Sequence, residues 1–75
     1  MISATLMKDQ IISRVLEQRT KSNVTQQELA DAVGVTRQTI FAIEKGRYTP
    51  SVSLALKIAS FFRTKVEDLF RIINE

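Results

Sequence analysis

Between Thr25 and Gly46 the chain runs twice through one short pattern: a capping residue, a brief apolar-periodic segment, then a glycine. Thr25-Gln26-Gln27-Glu28 opens the first pass, and a Thr followed three residues later by Glu is the capping box that starts a helix. Leu29, Ala30 and Val33 carry that helix, and Gly34 stands where a left-handed C-terminal residue sits. Thr36 is the next cap candidate, Arg37 to Lys45 form a third helix with Thr39, Ile40 and Ile43 facing inward, and Gly46 ends it. This spacing leaves room for two short helices and one tight turn.

Two such helices form a helix-turn-helix, and the window meets its packing demands position by position. Ala30 is small where the helices cross closely, Gly34 supplies a positive φ without a Cβ clash, and Leu29, Val33, Val35, Ile40 and Ile43 close the wedge. Helical periodicity continues on both sides. Ile11, Ile12, Val15, Leu16 and Arg19 predict a first helix over about Lys8 to Lys21. Ser51 caps a fourth, whose apolar face comprises Val52, Leu54, Ala55, Ile58, Ala59 and Phe62, and Val66, Leu69, Phe70 and Ile73 mark a last one. The expected fold is all-α, a five-helix bundle with the helix-turn-helix formed by helices 2 and 3. Residues 8–73 are expected to form the single domain, with the motif at 25–45 and residues 1–7 as an N-terminal extension.

Composition decides what such a bundle can do. A chain of 75 residues needs staples, tight packing or a partner chain to be stable, and the absence of Cys removes disulfides and thiolate metal sites. The absence of His removes the commonest general base and zinc ligand. No Gly-rich phosphate loop or metal-ligand cluster is present, so no enzyme, cofactor or metal is expected. Without a membrane-length apolar run or a leader-like start, the expected location is cytoplasmic, with no membrane partner. Charge is concentrated: residues 36–65 carry Arg37, Lys45, Arg47, Lys57, Arg63 and Lys65 against Glu44 alone, a net +5, whereas residues 1–35 are neutral. A basic middle in a nearly neutral chain fits a polyanion-facing surface.

The run Thr25 to Ala30, then Val33-Gly34-Val35-Thr36-Arg37-Gln38-Thr39-Ile40, then Ile43 to Arg47, resembles the Cro/repressor-type helix-turn-helix family of phage repressors and small bacterial regulators. Tyr48-Thr49-Pro50-Ser51, Leu54 to Ala59 and Val66 to Phe70 extend the likeness to a compact single-domain subgroup. The resemblance implies a dimer on double-stranded operator DNA, with the third helix in the major groove. Taken at 100° per residue, the outward arc of that helix holds Arg37, Gln38, Phe41, Ala42 and Lys45. Arg37 suits guanine O6 and N7, and Gln38 suits adenine N6 and N7. Ala42 offers only close approach or a thymine-methyl contact. Phe41 has two readings: packing on a thymine methyl, or lying against the following loop. Gln26, Thr36, Lys45, Arg47 and Tyr48 are the phosphate candidates, although the Tyr48 ring could instead pack over the Pro50 turn. By resemblance, Arg19 and Glu44 form a largely buried ion pair.

Two positions depart from the family pattern: Arg63 stands where Gly is frequent, and Lys65 where a Ser or Thr cap is usual. The expected homodimer uses Leu69, Phe70, Ile72 and Ile73, which exceed what one helical stripe can cover; the alternative folds Ile72 and Ile73 back over the first helix. The leading function is a DNA-binding transcriptional regulator, more readily a repressor. The alternative is the antitoxin half of a toxin–antitoxin pair that binds its own promoter.

Overall fold

A computed structural model describes residues 10–73. The elements, in order, are β1 (Gln10–Ser13), α1 (Val15–Lys21), α2 (Gln26–Val33), α3 (Arg37–Glu44), α4 (Val52–Phe61), α5 (Val66–Leu69) and β2 (Phe70–Ile73). Five helices are therefore present among the described residues, but the all-α expectation is corrected. The two ends of the described chain pair as an antiparallel sheet, with Gln10 opposite Ile73, Ile11 opposite Ile72, Ile12 opposite Arg71 and Ser13 opposite Phe70. The Arg14 N–H donates to the Leu69 carbonyl at 2.8 Å and continues the ladder toward the helices. The first helix thus starts at Val15 rather than near Lys8, and the last stops at Leu69. Adjacent β-branched pairs, Ile11-Ile12 and Ile72-Ile73, suit a pleated strand better than a helix once a partner strand is at hand. The expected extension at residues 1–7 lies outside the described residues.

The helix starts follow the side-chain chemistry. Thr25 accepts from the Glu28 N–H at 3.0 Å while the Glu28 carboxylate accepts from the Thr25 N–H at 2.8 Å, completing the capping box. Thr36 caps α3 and Ser51 caps α4, at 3.3 and 3.1 Å. Lys65 contributes no side-chain cap to α5.

The helix ends share one geometry. At α1 to α4 a left-handed residue follows the helix: Asn23 (φ 58°), Gly34 (φ 78°), Gly46 (φ 74°) and Arg63 (φ 55°). In each case the next N–H reaches back five residues: Val24 to Arg19, Val35 to Ala30, Arg47 to Ala42 and Thr64 to Ala59, at 2.9–3.0 Å. Arg63 therefore keeps the turn that Gly would make, at the cost of a Cβ in the left-handed region. Arg63→Gly should raise stability by up to about 1.5 kcal/mol: about 1–2 kcal/mol of relieved strain, less about 0.5–1 of added chain entropy. Equilibrium urea unfolding of the two proteins measures it.

The core draws on every helix: Val15, Leu29, Ala30, Val33, Ile40, Ile43, Leu54, Ile58, Ala59 and Leu69. Each large member stabilises the fold by about 1.5–3 kcal/mol through removal from water. Two assignments change. Leu69, expected in the dimer seam, is 1% exposed and belongs to the protomer's own core. Val52, expected on the inner face of α4, is 77% exposed because it occupies the first turn, beyond the packed stripe. None of the described helices is long and apolar enough to cross a membrane.

Candidate nucleic-acid interface

α2 and α3 are separated only by residues 34–36 and pack on one another. Ile40 and Ile43 anchor α3 in the core, so the opposite side of the helix is fixed outward. Arg37, Gln38, Phe41 and Lys45 are exposed there, and Ala42 is half-buried. Arg47 and Tyr48 follow Gly46 and are also exposed, beyond the C-terminal end of α3. Thr36 is exposed at the other end, its hydroxyl shared between the Thr39 N–H at 3.3 Å and the Thr39 hydroxyl at 3.2 Å.

Behind this surface lies a polar network that joins three helices. Arg19 of α1 donates Nε to Glu44 Oε2 at 2.6 Å and Nη2 to Glu44 Oε1 at 3.2 Å. The same guanidinium donates Nη1 to the Val24 carbonyl at 2.9 Å. Glu44 is almost fully enclosed, its side chain 4% exposed against 15% for Arg19. Gln26, at the first position of α2, donates Nε2 to Glu44 Oε1 at 2.9 Å. Its other end accepts from Arg37 Nη1 at 3.4 Å. Gln26 thus ties the buried carboxylate to the Arg37 guanidinium at the start of α3. The sequence marks Gln26 only as a phosphate candidate; its bridging role depends on how α2 crosses α3, which no local pattern reports.

A second contact was equally hidden. Lys45 Nζ sits over the Phe41 ring, 5.5 Å from its centroid. Phe41 is 39% exposed and is not among the residues packed on the core.

A family model described as helix-turn-helix matches residues 15–69, from the first residue of α1 to the last of α5. The chain belongs to the Cro/repressor-type helix-turn-helix family. It is 60% identical over 52 residues to an HTH-type transcriptional regulator of Methanocaldococcus jannaschii, covering 69% of this chain and 79% of that protein. It is 30% identical over 57 residues to the cryptic phage CTXphi transcriptional repressor RstR of Vibrio cholerae, covering 76% of this chain and 51% of the repressor. Among solved structures, the restriction-modification controller protein C.AhdI from Aeromonas hydrophila aligns with a TM-score of 0.71 at 30% identity, over 76% of this chain and 86% of that one. This helix-turn-helix protein is accordingly a DNA-binding transcriptional regulator.

Proposed function

We propose that the chain is a repressor that binds a pseudo-palindromic operator as a homodimer, through one DNA-binding domain whose helix-turn-helix is α2, the Gly34 turn and α3. The observation that carries this reading is the outward face of α3, which is held from behind by Ile40 and Ile43 and led by Arg37 and Gln38. Residues at the N-terminal end of a recognition helix reach base edges, and these two carry the bidentate groups suited to guanine and adenine. Phe41 and Ala42 complete the reading surface. Lys45, Arg47 and Tyr48 flank it at one end and Thr36 and the start of α2 at the other, where side chains and helix N–H groups meet phosphates. Gln26 has a second part in this scheme, as the residue that orients Arg37.

The dimer seam follows from the exposed apolar surface, and it differs from the expected stripe. In a strand successive side chains alternate, so Phe70 and Ile72 share one face of the sheet with Ile11, while Ile73 points to the other with Arg71. Ile11, Phe70 and Ile72 join Pro50, Val52 and Leu56 around an open groove of about 260 Å³ with no charged side chain in its lining among the described residues. Leu69 is enclosed in the core and Ile73 faces away, which leaves Phe70 and Ile72 from the original set. A second copy covers this groove, and two-fold symmetry sets the two α3 helices one DNA turn apart, about 34–36 Å.

Leu56→Asp combined with Ile72→Asp should give a monomer with strongly reduced operator affinity. Both side chains are exposed in the protomer, so the fold should survive, as circular dichroism would show. Sedimentation at micromolar concentration reads the result, and a variant that still sediments as a dimer would place the seam elsewhere.

A further inference from the structure

We propose that Phe41 reads a C5-methyl group in the major groove, of thymine or equally of 5-methylcytosine, so that one base step in each half-site is recognised by its methyl alone. The proposal rests on α3 being the recognition helix. Along its outward face Arg37, Gln38 and Lys45 carry hydrogen-bonding groups, whereas Phe41 and Ala42 carry none. The bulkiest apolar group that bases present in the major groove is a methyl at C5, so a benzyl side chain directed there has one preferred target.

The placement of Phe41 fits that task. A ring left 39% exposed, outside the buried cluster, keeps apolar surface that a ligand can cover. The Lys45 ammonium lies over one part of the ring, 5.5 Å from its centroid. Part of the ring surface and its edge remain for the DNA. Ala42, half-buried beside it, is too short to cover a methyl by itself but lets the helix approach closely.

The equivalence of the two bases follows from what the ring lacks. Thymine and 5-methylcytosine differ at position 4, where one has a carbonyl acceptor and the other an amino donor. A benzyl group neither donates nor accepts, so it senses only the methyl they share. Cytosine methylation at that step therefore strengthens binding, and an operator position occupied by cytosine would acquire the methyl contact once modified.

The test uses an operator obtained by selection from random DNA and the full chain. Each thymine in the footprint is replaced by deoxyuridine, which removes only the methyl. One step per half-site should lose about fourfold in affinity, the worth of one buried carbon at about 0.8 kcal/mol. At that step, 5-methylcytosine paired with guanine should bind about fourfold more tightly than cytosine paired with guanine. Both ratios should fall to near one in Phe41→Ala. Operator binding that ignores every methyl, or methyl ratios unchanged in Phe41→Ala, would overturn the assignment while leaving the DNA-binding reading intact. A chain that selects no operator overturns both.

Discussion

Glu44→Leu should lower the stability of the domain by about 3–5 kcal/mol, a fall in Tm of more than about 12 °C for a domain of this size. The loss does not come from the attraction between the charges, which desolvation largely offsets. It comes from what stays behind: the Arg19 guanidinium, 15% exposed, would keep only the Val24 carbonyl as a partner. Gln26 Nε2 would lose its acceptor as well. Arg19→Met should be equally costly, since it strands a carboxylate that is 4% exposed and removes the donor to Val24. The double replacement by apolar residues of similar volume should recover much of the loss, because neither charge then remains to be solvated. Urea unfolding of the four proteins completes the cycle. Single-variant losses below about 0.5 kcal/mol would mean that the pair behaves as an exposed one.

Arg37→Ala should cost about 1–3 kcal/mol at each half-site, and therefore about 2–6 kcal/mol for a dimer on a symmetric operator. Its signature is selective: the preference for one base pair per half-site should disappear while the other preferences hold. Lys45→Ala makes the contrasting case. It should weaken binding to all sequences alike and reduce the salt dependence by about one unit of slope per protomer. Gln26→Ala should resemble a weaker Arg37→Ala, because it frees the guanidinium that Gln26 otherwise steadies at 3.4 Å. Equilibrium titrations over a series of salt concentrations separate these outcomes. An Arg37→Ala protein with an unchanged base preference would remove Arg37 from the reading residues.

How far these features can be read from sequence depends on the range of the interactions that fix them. The starts of α2, α3 and α4 follow from Thr25, Thr36 and Ser51, which act within three residues of themselves. Gly34 and Gly46 mark two helix ends for the same reason. The end of α4 hides behind Arg63, a residue type that gives no sign of a left-handed turn. The sheet was illegible because Ile11-Ile12 and Ile72-Ile73 fit helical spacing as well as strand spacing. What decides is the partner strand, some 60 residues away along the chain. The same limit governs the site. The outward face of α3 is a matter of angular position and could be read directly. The link from Glu44 through Gln26 to Arg37, and the perch of Lys45 over Phe41, depend on helix crossing and rotamers.

Selection of bound fragments from a random duplex pool by the purified protein tests most directly whether α3 reads DNA sequence from a symmetric dimer. The enriched sequence should be a pseudo-palindrome whose half-sites are centred one helical turn apart, with guanine and adenine at the steps facing Arg37 and Gln38. A pool that stays random after repeated rounds, or a single asymmetric half-site bound by one protomer, would contradict it.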